Sequence, residues 1–188
     1  MRPLVTALRK AVGALNDAGV PFLLGGGLAC WARGAPESDH DVDLFVRPEH
    51  AERAAEALAA VGMHIERPPE GWLLKAFDGD VLVDLIYRPS VGEVDDEMFA
   101  RADELEVRSV PMQVAAVDDV LAAKLLALTE QSPDYGDVLK IARALREQID
   151  WESLRRRTEG SPFARAFFTL AEGLGLITSE ARPATPPR

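Results

Sequence analysis

The chain has 188 residues, 47% hydrophobic and 28% charged, the values of a folded chain and not of a disordered one. Its one cysteine, Cys30, excludes an internal disulfide and a thiolate zinc cage. With 31 acidic against 21 basic residues the formal net charge is −10, which repels nucleic acid and anionic lipid unless basic groups cluster locally.

Leu4, Val5, Leu8, Val12 and Leu15 recur at helical spacing and predict a first helix over Arg2 to Asp17, ended by Gly19. Arg9, Lys10, Asn16 and Asp17 interrupt it, so it has no signal-peptide core. No apolar run reaches the ~18 residues a transmembrane helix needs. With the single cysteine, this leads to the expectation of a cytoplasmic protein without membrane contact.

Val20 to Leu24 reads as a short buried strand, followed by Gly25-Gly26-Gly27 and a helix over Leu28 to Ala32. Asp41 to Val46 alternates, with Asp41, Asp43 and Phe45 on one face and Val42, Leu44 and Val46 on the other, which predicts a strand. Pro48 opens a helix to about Val61. Two apolar runs, Trp72 to Phe77 and Val81 to Tyr87, flank Asp78-Gly79-Asp80, a hairpin signal. Asp95 to Arg101 fits a helix, and Leu105 to Gln113 one or two edge strands, because Pro111 lacks an N–H for a central ladder.

From Val117 the pattern is helical. Asp118 or Asp119 is placed to cap a helix with Val120, Leu121, Leu125 and Leu128 inside. Ser132-Pro133-Asp134 makes a turn and a second cap, and Val138, Ile141, Ala142 and Leu145 form the next stripe. Trp151 to Arg157 and Pro162 to Leu174 are further helices, and residues 179–188, with three prolines, are expected to be a mobile tail. The expected fold is α/β: a mixed sheet flanked by helices over residues 1–115, then a helical C-terminal part over 116–178.

The chemistry gathers between Gly25 and Val46. Asp41 and Asp43, two apart on a strand, present both carboxylates to one side. Two such charges ionise together comfortably only around a cation, and hard oxygen donors select Mg²⁺ or Mn²⁺. A pair of such ions stabilises the attacking and leaving oxygens of phosphoryl transfer. Asp84 is flanked on both sides by apolar residues, where a charge is costly unless paired or metal-bound. Arg88 is the protein partner that would explain it without a metal. The glycine turn offers backbone N–H groups to an anion, with no Cβ in the way.

The order Gly-Gly, helix, Asp-x-Asp strand, later lone Asp resembles the DNA polymerase β-type nucleotidyltransferase superfamily. Within it the chain is similar to the small bacterial AbiEii-type toxins of toxin–antitoxin systems. Gly26 and Gly27 match the paired glycines, Asp41 and Asp43 the metal pair, and Asp84 the third acid. The run Asp119 to Leu128 resembles that group's helix with an inward lysine, Lys124, and Asp134 and Asp137 resemble the acids that follow it.

The resemblance implies Mg²⁺- or Mn²⁺-dependent transfer of a nucleoside monophosphate from an NTP to a hydroxyl, with release of pyrophosphate. It implies metal binding by Asp41, Asp43 and Asp84, proton acceptance by Asp84, phosphate seating by Gly26 and Gly27, phosphate neutralisation by Lys124, and a place for Asp137 in the nucleotide site. The chain departs from the pattern in carrying Gly-Gly for a common Gly-Ser, and Glu37 and Asp39 where relatives have basic and hydroxyl residues; Arg33 is the nearest substitute cation.

The acceptor expected is an RNA end, tRNA first, approached by Lys140, Arg143, Arg146 and Arg155 to Arg157, with an antitoxin as protein partner. It leads three readings. Another is an aminoglycoside-type small molecule. The third is an inactive relative that binds a partner, favoured by Glu37 and Asp39.

Overall fold

The computed structural model describes residues 2–37 and 41–177. Asp39, His40 and the tail 179–188 therefore lie outside the described residues. The N-terminal half runs α1 (Arg2–Asp17), β1 (Phe22–Leu24), α2 (Gly26–Ala32), β2 (Val42–Val46), a 3-10 turn (Pro48–His50) and α3 (Ala51–Ala60). It continues with β3 (His64–Glu66), β4 (Leu73–Asp78), β5 (Val81–Ile86), α4 (Asp96–Ala100), β6 (Asp103–Val107) and β7 (Val110–Val114). Four helices follow: α5 (Val117–Ala127), α6 (Tyr135–Leu145), α7 (Trp151–Thr158) and α8 (Pro162–Gly173).

The strands form one mixed sheet in the order β3-β4-β5-β2-β1-β7-β6, which is the α/β architecture expected. β2 runs parallel to β5 and antiparallel to β1. On one face Val42, Leu44, Val46, Val83 and Leu85 are fully buried beneath α1 and α3. The opposite face carries Asp43 and Phe45 of β2 beside Asp84 and Ile86 of β5, and α5 lies across it. Strand alternation thus sends oil one way and acid the other.

The Asp-Gly hairpin forms, with Gly79 at φ +62° in the two-residue turn between Asp78 and Val81. β3 has no counterpart among the strands expected from the sequence. Its three residues are mostly exposed and gain their strand form by pairing with β4.

Leu105 to Gln113 resolves into two strands, and Pro111 lies in β7, which is not the edge. β1 is so short that it meets β7 only at Leu24 and Val114, leaving Pro111 beyond its end with no ladder bond to lose. The β6–β7 turn is built from Arg108 and Ser109, both at positive φ (52° and 63°). Side-chain contacts hold it there: the Arg108 guanidinium stacks on Trp31 at 4.3 Å and meets Glu37 at 2.5 Å.

Neither Asp118 nor Asp119 caps α5; Ala116 occupies that position. Asp119 is fully buried inside the helix bundle, bound by Arg101 at 3.0 and 3.1 Å and by Arg157 at 2.5 Å. Three elements are tied together by one carboxylate. Asp134 does cap α6, accepting from Gly136 N–H at 2.9 Å.

Candidate active site

β1 ends at Leu24, and the Gly25 N–H donates to the Asp43 carbonyl at 2.8 Å, which pins the glycine turn to β2. Gly26 has φ +55°, and a Cβ there would fall 1.6 Å from Asp43 Oδ2. Glycine is therefore required twice over, for its backbone angle and for the carboxylate that fills its side-chain space. Gly25 is constrained as well, since a Cβ would lie 2.9 Å from the Phe45 ring. Gly27 is the second residue of α2 and is half-buried.

The β2–β5 register sets Asp43 directly beside Asp84. Asp41, just before β2, joins them, and one carboxylate oxygen from each lies within 4.8 Å of the others. The three acids singled out from the sequence thus meet. Burial, then repulsion from Asp41 and Asp84, pushes Asp43 up to about 7, against the pull of Lys124 and Lys75. Asp84 is also raised, chiefly by burial, with Lys75 opposing.

Lys75 was not among the sequence candidates. Its Nζ stands 3.6 Å from Asp84 Oδ1, too far for a hydrogen bond, and that buried oxygen has no hydrogen-bond partner. The signal was present in the chain: counting back from the Asp78–Val81 turn pairs Lys75 with Asp84 across the hairpin. Arg88, the partner considered for Asp84, pairs with Glu93 at 2.8 Å instead.

A buried carboxylate oxygen without a hydrogen bond, amid three converging acids that one lysine does not neutralise, is the condition in which a divalent cation repays its own dehydration. The all-oxygen donor set suits Mg²⁺ or Mn²⁺.

Lys124 projects from α5 into a hollow of about 210 Å³ that also contains Gly26 and Asp43. Asp137 of α6 lies 3.9 Å from its ammonium. A larger hollow, about 370 Å³ and bordered by Phe22, Phe99 and Met112, includes none of the three carboxylates. Cys30 is buried on α2, and burial pushes its thiol up to about 12, which makes it an inert apolar residue.

Arg33 does not reach the carboxylates. Its guanidinium donates to the carbonyls of Val114 and Ala115, each at 3.0 Å, and to Asp103 at 2.9 Å, which fixes α2 to the β7 end of the sheet. Glu37 is turned to Arg108, so its charge is offset there.

The profile of a family described as nucleotidyl transferases of unknown function (DUF2204) matches residues 4–164. The chain belongs to this family. As a nucleotidyl transferase it has structural likenesses that extend over most of its length. The solution structure of the antibiotic-resistance factor ANT(2'')-Ia superposes with a TM-score of 0.66 at 17% identity, covering 91% of this chain and 96% of that one. The lincomycin-bound lincosamide antibiotic adenylyltransferase LnuA gives 0.51 at 15%, covering 72% and 92%. An antigenic nucleotidyltransferase-like protein from Paracoccidioides brasiliensis gives 0.55 at 16%, covering 90% and 92%. At these identities the likeness is one of fold. No curated protein sequence matches the chain. No helix among the described residues is long and apolar enough to cross a membrane.

Proposed function

We propose that this nucleotidyl transferase moves a nucleoside monophosphate from a nucleoside triphosphate onto a hydroxyl of a small molecule, releasing pyrophosphate. The observation that carries the reading is the meeting of the Asp41, Asp43 and Asp84 carboxylates, with the buried Asp84 Oδ1 making no hydrogen bond. Those three carboxylates would hold Mg²⁺ or Mn²⁺, which when bound neutralises phosphate charge and helps ionise the attacking hydroxyl.

The residues of the chain divide the remaining work. Gly26 and Gly27 let the triphosphate approach the backbone amides that open α2. The Lys124 ammonium offsets charge on the phosphates, and Asp137 beside it steadies that ammonium. The acceptor oxygen bonds to the α-phosphorus as the bond from that phosphorus to the pyrophosphate oxygen breaks. Asp84 is the carboxylate placed to take the hydroxyl proton.

Two features support a small acceptor over RNA. Five basic residues of the C-terminal helices face acids within the protein: Arg155 with Glu172, Arg156 with Glu152, Arg157 with Asp119, Arg146 with Glu147, and Lys140 with Asp137. A net charge of −10 surrounds them. The fold likeness to ANT(2'')-Ia and LnuA, which are an antibiotic-resistance factor and an antibiotic adenylyltransferase, points the same way. A cytoplasmic location supplies the triphosphate.

The test is incubation with each triphosphate labelled at the α-phosphate, Mg²⁺, and either a panel of hydroxyl-bearing antibiotics or total tRNA. Label is expected on a small molecule. Label on tRNA would move the reading to a toxin-like enzyme of the AbiEii type. Failure of every triphosphate to bind in the presence of Mg²⁺ would end the enzymatic reading.

A further inference from the structure

The carboxylate row does not end the binding face. One step further along the same strands, Phe45 and Ile86 pair side by side on the face that carries Asp43 and Asp84. They floor the hollow of about 210 Å³. Its roof is one stripe of α5, Val120, Ala123, Lys124 and Ala127, spaced three and four residues apart. Trp72, Pro89 and Ser90 close its far end.

Trp72 stands out within this slot. Its carbonyl accepts from the N–H groups of Tyr87 and Arg88, both at 3.1 Å, so its backbone is fixed at the mouth of β4. Its side chain nevertheless leaves the residue 41% exposed. A rigidly mounted, solvent-facing indole over an apolar floor is suited to cover a ring or an aliphatic body.

The sheet order decides which substrate lies there. Gly26 and Gly27 follow β1, on one side of β2. Trp72, Ile86 and Pro89 belong to β4, β5 and the segment after β5, on the other side. The triphosphate seated on the glycines therefore approaches Asp43 from the β1 side. The hollow meets the triphosphate at its Gly26, Asp43 and Lys124 end, and its apolar part extends on the Asp84 side, where the attacking hydroxyl gives up its proton.

We infer that the slot between the Phe45–Ile86 row and α5 takes the apolar, ring-bearing body of the acceptor and delivers its hydroxyl to Asp84. This rests on the transferase reading above and narrows its acceptor to a molecule with a hydrophobic body. The bonds made and broken are unchanged: the acceptor oxygen joins the α-phosphorus, pyrophosphate leaves, and the proton passes to Asp84.

The test uses the full chain, naphthylmethanol and tobramycin as probes, and the indole N–H resonance of Trp72, identified by its loss in Trp72→Phe. Naphthylmethanol is expected to shift that resonance with a saturating non-hydrolysable Mg-ATP analogue present, and tobramycin is not. Trp72→Ala should weaken naphthylmethanol binding roughly threefold to tenfold, the worth of one aromatic contact. Ala123→Trp, which fills the slot, should abolish it.

Displacement of naphthylmethanol by the ATP analogue would assign the slot to the nucleobase and overturn the inference. Absence of any naphthylmethanol effect on Trp72, or equal binding of tobramycin, would overturn it as well. Mg²⁺-dependent ATP binding and its loss in Asp43→Asn are read separately and report on the transferase reading. Naphthylmethanol binding without ATP binding would refute the acceptor role and leave only an apolar ligand site.

Discussion

The protein buries acidic groups in two places and treats them in opposite ways. Asp119, with no exposed surface, is surrounded by the guanidinium groups of Arg101 and Arg157, and its oxygens are fully engaged. Asp84, nearly as deep, has one lysine at 3.6 Å, two further carboxylates beside it and an oxygen with no hydrogen-bond partner. The first arrangement is complete in the chain as it stands and serves to lock α4, α5 and α7 together. The second leaves three acids facing one another and raises the pKa of Asp43 and Asp84. Burial of a carboxylate therefore says little about function; what supplies its counter-charge says a great deal.

The largest effect should come from neutralising the three-acid cluster. Asp43→Asn is expected to lower nucleotidyl transfer by roughly 10³-fold or more, about 4 kcal/mol of barrier. With Mg²⁺ absent, the same change should raise the urea midpoint at pH 8, because it removes a charge held against burial and two neighbouring acids. Loss of stability together with activity would mean that the cluster is structural after all, like Asp119.

The completed cluster should behave in the reverse way. Asp119→Ala strands two arginines in the helix bundle and is expected to cost about 3–5 kcal/mol in urea unfolding. A cost under about 1 kcal/mol would show that water replaces the carboxylate there, and the contrast between the two sites would weaken.

Asp118, next along α5, sharpens the contrast with a smaller effect. Burial pushes it up to about 6 from an ordinary 3.8, opposed by the Asp150 N–H that donates to it and by Arg157. Its folded pKa is above its unfolded one, so its contribution to stability is full below pH 3.8 and is lost as pH rises through about 6. Asp118→Asn should then stabilise the protein at pH 7.5 by about 1–2 kcal/mol after allowance for partial exposure, and by nothing near pH 3.5. Equal stabilisation at both pH values in thermal unfolding would show that the charge is not the cause.

Much of the site was legible in the chain. Asp41 and Asp43 were readable because a strand's two-residue period forces both to one face, and Asp84 because every neighbour in its strand is apolar. Gly26 was readable as a turn, but its second requirement, the Asp43 oxygen in place of a side chain, exists only in three dimensions. Lys75 lay in plain view inside an apolar strand, and only the hairpin register gives it meaning. Asp119 was misread as a cap because its flanking pattern is that of a helix start, while its partners lie 18 and 38 positions away. Arg33 was misjudged for the same reason, since closeness in sequence to the acid pair does not survive the turn at Gly34, which has φ +107°.

The sequence by itself determined the α/β layer, the carboxylate pair and the glycine turn, because each follows from local periodicity or from the steric freedom of one residue type. Tertiary structure alone decided which acids are neutralised within the protein and which are left facing one another. It also decided that five basic residues of the last helices face acids, and that an exposed indole lines the same hollow as Asp43. Counter-charge and cavity shape depend on distances between strands and helices far apart in the chain, and no local pattern encodes those distances.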